Sequence, residues 1–162
     1  MAHERIVLGI DPGLATVGFG VIAFQNDQAR LVDFGTMNTP AGLDFCQRLL
    51  MLQQDLNHLL ERYQPTEAYV EELFFSANAK TAMSVAQARG VILVSLAGHG
   101  LQPHSVTPNQ VKLAITGDGA ADKRQVQDML KIHLGLDSLP QPDDAADALA
   151  IALYGARLHF PR

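Results

Sequence analysis

One cysteine and no tryptophan occur in this 162-residue chain, and aromatic residues make up only 6% of it. A lone Cys46 closes no intramolecular disulfide, so the fold must rest on a packed core, and the composition suits a reducing cytoplasm. Cys46 lies in Phe45-Cys46-Gln47-Arg48-Leu49-Leu50, which reads as a packed thiol rather than a nucleophile. No Cys/His spacing resembles a zinc site, and the scattered His99, His104, His133 and His159 read as surface or structural residues. Long apolar runs are missing too: none approaches a membrane span, and no signal-peptide core is read at the N-terminus, so no membrane partner is expected. Basic excess is also absent. Lys and Arg number 12 against 17 Asp and Glu, a net charge of −5, whereas nonspecific binding of nucleic acid needs a basic surface. Such a balance misleads where acids gather around cations, and Lys112, Lys123, Arg124 and Lys131 do fall close together.

What is present is an ordinary globular mixture, 48% hydrophobic and 18% charged. The length predicts one domain spanning 1–162, able to bury roughly 70% of its unfolded surface. Residues 5–11 read as a buried strand. Gly13 and Gly18 flank a turn into a second strand, Gly20-Val21-Ile22-Ala23-Phe24, and Asn26-Asp27 turns the chain into a third around 30–37. Phe45, Leu49, Leu52, Leu56, Leu59 and Tyr63 form a helical stripe over about 43–63. A strand follows at 68–71, then a helix over about 77–97 whose Ala82, Ala86 and Gly90 make a smooth ridge. A fifth strand spans 103–106, and Thr107-Pro108 caps a short helix. Helices near 122–134 and after Pro142 complete an order β-β-β-α-β-α-β-α-α-α. This order predicts an α/β fold: a five-stranded mixed sheet, three antiparallel strands and then parallel ones, with helices on both faces.

Asp144-Ala145-Ala146-Asp147-Ala148-Leu149-Ala150 carries the strongest chemical signal. Acids three apart share a helix face. Entering a core together, they cost desolvation and repulsion unless a cation lies between them. Asp11 ends the apolar run Ile6–Ile10, and Glu71 follows Tyr69-Val70. Four acids on three hydrophobic elements point to one divalent-metal site. Each acid taken singly has a local alternative. Asp143 and Asp144 suit a helix cap, Asp11 suits an Asp-Pro-Gly turn, and Glu71 and Glu72 suit a solvated strand end. Asp147 fits its alternative least, lying past the cap among Ala and Leu. In the expected sheet Asp11 can neighbour Glu71, and the last helix must cross the sheet to add Asp144 and Asp147.

Leu8-Gly9-Ile10-Asp11-Pro12-Gly13, Val70-Glu71, Gln87-Ala88-Arg89-Gly90, Gln110-Val111-Lys112, Asp122-Lys123 with Gln125-Val126, and the Asp144–Ala150 block occur in the same order as in a known family. Over nearly its whole length the chain resembles the RuvC Holliday-junction resolvases, within the ribonuclease-H-like nuclease fold. The resemblance implies that Asp11, Glu71, Asp144 and Asp147 are catalytic carboxylates holding two Mg²⁺ or Mn²⁺ ions about 3.5–4 Å apart. Asp11 would bridge the ions, and cleavage would leave 5′-phosphate and 3′-hydroxyl ends with no covalent protein intermediate. Lys112 and Lys123 match basic positions near the DNA and the scissile phosphate, and Arg124 adjoins them as a further DNA contact. Phe74 matches an aromatic that could stack on an unpaired base, with core packing beside Phe75 as its alternative, a role expected for one of the two aromatics. The implied partners are four-way junction DNA, a second copy of the chain and a branch-migration motor complex. The Ala82/Ala86/Gly90 ridge is the candidate two-fold interface, with packing on the 43–63 helix as its alternative.

The chain departs from the family pattern at Val17, Asp118, Ala120 and Asp143. An acid at 118 is expected to weaken a phosphate contact, and Asp143 suits a cap or an outer-shell ligand. Other functions compete. A nuclease of RNA–DNA hybrids or flaps would need one site and no dimer. A phosphotransferase would need this fold duplicated, and a binding-only module would not need all four acids and both lysines. Since like charges about 4 Å apart repel by about 4 kcal/mol at an effective dielectric near 20, Asp147→Asn is expected to stabilise the metal-free protein while abolishing cleavage.

Overall fold

The computed structural model describes residues 3–73 and 79–158. Three strands come first: β1 (Arg5–Asp11), β2 (Thr16–Gln25) and β3 (Gln28–Asn38). Helix α1 (Phe45–Tyr63), strand β4 (Glu67–Glu71), helix α2 (Ala79–Gly98) and strand β5 (Pro103–Val106) alternate after them. Helices α3 (Pro108–Thr116), α4 (Lys123–Leu134) and α5 (Asp143–Leu158) close the chain. The sheet runs β3-β2-β1-β4-β5. The β1–β2 and β2–β3 pairs are antiparallel, and the β1–β4 and β4–β5 pairs are parallel. The mixed sheet expected from the element order is therefore the one formed.

β1 is central and covered on both sides, which is why its apolar run is unbroken. Successive side chains point to opposite faces. Val7 joins the core beneath α3, α4 and α5, while Leu8 and Ile10 join the core beneath α1 and α2. Asn26 and Asp27 both adopt left-handed φ, 51° and 63°, as a tight two-residue hairpin turn requires. In α1, Leu52, Leu56 and Leu59 are buried as the stripe predicts. Asp44 caps the helix by accepting from the Cys46 N–H at 3.1 Å. That leaves Cys46 in the first turn on the solvent side, so the thiol is exposed, not packed as its neighbours imply.

The β1–β2 turn is tighter than expected. Gly18, expected to flank the turn, belongs to β2 itself, as Gly20 was expected to, and both matter for close approach to a helix. A Cβ on Gly18 would lie 1.9 Å from the Asp144 carbonyl oxygen, and one on Gly9 would lie 2.2 Å from that of Ala148. The bare strand backbone lets α5 lie directly on β1 and β2. Its own Ala145, Ala148 and Ala152, all fully buried, keep the approach close from the other side.

α2 departs from expectation twice. Lys80–Gly98 is long and apolar enough to cross a membrane by length and composition, contrary to the reading that no run approaches that size. One of its faces is nevertheless built into the protein, with Ala88, Ile92 and Leu96 in the same core as Leu52, Leu56 and Leu60 of α1. The small-residue ridge is not that packed face. A Cβ on Gly90 would meet nothing within 4 Å, while Met83 is 71% exposed and Val94 66%.

Candidate functional site

The carboxylates meet where β1 and β4 end and α5 begins. Parallel pairing of Ile10 with Val70 puts Asp11 and Glu71 side by side at the ends of adjacent strands. Antiparallel pairing sets Asp11 opposite Gly18. Because Gly18 has no side chain, the first turn of α5 descends onto that point and delivers Asp144 and Asp147. Asp11, Asp144 and Asp147 each bring an oxygen to within 4.8 Å of the others. Glu71 joins them through a hydrogen bond with Asp11.

This cluster is electrostatically strained. Burial pushes the Asp11 carboxyl up to about 9, and repulsion from Glu71 and Asp147, a hydrogen bond with Glu71, and repulsion from Asp144 all add to the rise. Burial also raises Glu71; its hydrogen bond with Asp11 opposes the rise, Asp147 adds to it and Lys112 opposes it again. Asp147 is raised by burial and pulled back by Lys123. A hard divalent cation takes carboxylate oxygens as ligands, and the donor set here is entirely carboxylate and crowded enough to need positive charge. The residues present thus fit such an ion.

Two capping boxes place the bases. Thr107 accepts from the Gln110 N–H while Gln110 returns a bond to the Thr107 N–H, starting α3, which carries Lys112. Asp122 and Gln125 do the same for α4, making Lys123 its first residue. Lys112 and Lys123 line a cavity of about 240 Å³ together with Glu71, Asp147, Pro108 and Val126. Lys123 Nζ lies 3.6 Å from Asp147 and 3.1 Å from Asp143. Burial pulls its ammonium down, and Asp143 and Asp147 more than offset that. Arg124 stands outside the cavity, exposed on α4 and paired with Asp128 at 3.2 Å. Phe74 and Phe75 lie outside the described residues.

Three residues carry parts that the sequence did not reveal. Asp143 neither caps nor joins the acid cluster. It anchors Lys123 and also accepts from the buried Gln127 at 3.2 Å. Asp118 accepts from the Ala120 N–H at 2.8 Å, closing the exposed loop between α3 and α4. Arg89, noted only as part of a motif, donates to the Glu71 backbone oxygen at 3.2 Å and to Ser105 Oγ at 2.8 Å. No local sequence signal links Arg89 to Glu71, because the contact depends on how α2 docks against the sheet.

Comparison with known proteins adds independent information. The family profile described as "Crossover junction endodeoxyribonuclease RuvC" matches residues 7–154. A protein of that description from Chloroflexus aurantiacus is 53% identical over 149 residues, covering 92% of this chain and 91% of the relative. One from Rubrobacter xylanophilus is 47% identical over 156 residues, covering 96% of this chain and 87% of the relative. Among solved structures, Thermus thermophilus RuvC bound to a Holliday junction substrate superposes with a TM-score of 0.88 at 36% identity, covering 94% of this chain and 93% of that one. The yeast mitochondrial resolvase Ydc2, at 16% identity and a TM-score of 0.70 over 94% of this chain and 78% of that one, shares the fold.

Proposed function

The chain belongs to the RuvC family of crossover junction endodeoxyribonucleases, and from that premise we propose that it resolves four-way DNA junctions by paired symmetric nicks at the Asp11/Glu71/Asp144/Asp147 site. The observation that carries the reading is the convergence of these acids beside a cavity walled by Lys112 and Lys123. The whole of residues 1–162 acts as one nuclease domain. The site takes two divalent ions, Mg²⁺ or Mn²⁺, which when bound lower the pKa of water and stabilise charge on a phosphate undergoing in-line displacement.

The side chains have distinct duties. Asp11, which adjoins each of the other three acids, would hold the ions together with Glu71, Asp144 and Asp147. Lys112 and Lys123 face the same space and neutralise the phosphate as charge builds there. Arg124, one residue along α4, contacts DNA farther out, and Phe74 stacks on an unpaired base of the junction. Hydrolysis leaves a 5′-phosphate and a 3′-hydroxyl, with no side chain becoming covalently attached. A branch-migration motor complex is a further partner, and the cytoplasm is the place of action.

Two matched nicks need two sites, and a two-fold dimer supplies them. The supporting feature is the outer face of α2. Gly90, Val91 and Val94 border a groove of about 550 Å³ against Leu49 and Leu50 of α1. Val94→Asp is expected to turn the protein into a monomer by sedimentation and to abolish paired nicking, while Mn²⁺ binding stays near the wild-type value. A dimeric Val94→Asp protein would place the interface elsewhere.

Cleavage of a labelled four-way junction, run beside linear duplex and an RNA–DNA hybrid in Mg²⁺ and in Mn²⁺, tests the function. Symmetric ligatable nicks by the wild type and none by Asp147→Asn are expected. Cutting of the hybrid alone would reassign the substrate.

A further inference from the structure

We propose that Arg89 is a positioning residue that fixes the Glu71 carboxylate from behind by holding its backbone carbonyl. The inference rests on the reading of Glu71 as a metal ligand. Glu71 is the last residue of β4, and the pairing of β4 with β1 ends one residue earlier, at Val70 with Ile10. The strand therefore carries its acid at the point where the sheet stops holding it on the β1 side. On the other side, the Glu72 N–H donates to the Val106 oxygen at 2.8 Å. The Glu71 carbonyl is taken by Arg89 Nε at 3.2 Å.

The same guanidinium reaches Ser105 Oγ at 2.8 Å, and Ser105 is the β5 partner of Val70. One planar group thus ties α2 to the ends of both β4 and β5. Among the described residues Arg89 has no carboxylate partner. Its charge is spent on a carbonyl and a hydroxyl, an arrangement suited to the rigid fork of arginine and not to the single ammonium of lysine. Residues that orient a ligand from outside the first shell commonly alter metal affinity by roughly 10–100-fold when removed.

The test compares Arg89→Ala, Arg89→Lys, Ser105→Ala and Glu71→Gln with wild type. The readouts are Mn²⁺ binding by calorimetry, melting of the metal-free protein and oligomeric state. Arg89→Ala is expected to weaken Mn²⁺ binding at least about tenfold while remaining folded with an unchanged oligomeric state. Arg89→Lys is expected to restore binding only in part, and Ser105→Ala to weaken it less than Arg89→Ala. Wild-type Mn²⁺ affinity in Arg89→Ala beside weakened affinity in Glu71→Gln would overturn the role of Arg89 alone. Wild-type affinity in Glu71→Gln would overturn the ligand assignment and this inference with it. If Arg89→Ala does not fold, Arg89→Lys and Ser105→Ala decide: wild-type affinity in both overturns the proposal.

Discussion

Replacing Asp11 by asparagine is expected to raise the melting temperature of the metal-free protein by about 5–15 °C while lowering junction cleavage at least about a thousandfold. Asp11 is the acid on which burial and three neighbouring carboxylates act together. Replacing it removes the cost of holding that carboxyl protonated in the fold near neutral pH, about 2–4 kcal/mol on the scale of about 1.4 kcal/mol per pH unit above its ordinary value. Asp147 has the same sign and a smaller effect, because Lys123 already offsets part of its charge. The largest stabilisation thus falls at Asp11, although the local sequence points to Asp147.

The pH dependence has a definite sign. The folded Asp11 carboxyl titrates at about 9 against an ordinary 3.8, so between those values the folded state holds a proton that the unfolded state has lost. Stability falls with rising pH wherever the folded state binds more protons. The metal-free wild type should therefore lose stability steadily from about pH 4 to about pH 9, and Asp11→Asn should flatten that slope. Divalent ions compete with this proton, so Mn²⁺ affinity should climb over the same range. Thermal melts across pH, with and without Mn²⁺, measure both effects. A steeper metal-free slope in Asp11→Asn than in wild type would contradict the shared acidic site.

Gly18→Ala is expected to destabilise the protein by about 3 kcal/mol or more and to weaken Mn²⁺ binding with it. The added methyl would sit 1.9 Å from the Asp144 carbonyl oxygen and 2.6 Å from its carbon. These are backbone atoms of α5, so relief requires moving the helix and not merely a side chain. The helix that moves carries two of the four acids, and the strand it moves from faces Asp11. Gly98→Ala, with nothing within 4 Å of its new methyl, is the control and should leave both properties near wild type. Melting curves and Mn²⁺ titration of the two variants decide the matter. A Gly18→Ala protein melting within about 2 °C of wild type would show that α5 has slack at this point.

Much of this protein was determined by the sequence alone. Hydrophobic periodicity and turn chemistry place the elements because they are local: the stripe of α1, the Asn26-Asp27 turn and the Thr107-Pro108 cap each depend on residues a few positions apart. The acids were legible for a related reason, since Asp147 among alanines is costly unless charge of the other sign is near.

Tertiary structure decided what depends on distance in the chain. Gly18 reads as a turn residue, and only the docking of α5 shows that it and Gly20 clear the path of that helix. The exposure of Cys46 followed from how Asp44 caps α1. The face of α2 that packs became visible only against α1 and the sheet, which left Gly90 and Val94 outside. Lys123 found Asp143, and Arg89 found Glu71, because α4 and α2 each pack beside elements far away in sequence. Periodicity states which side of an element is apolar, but which groups meet there is fixed by helix docking and strand register, which sum contributions from the whole chain.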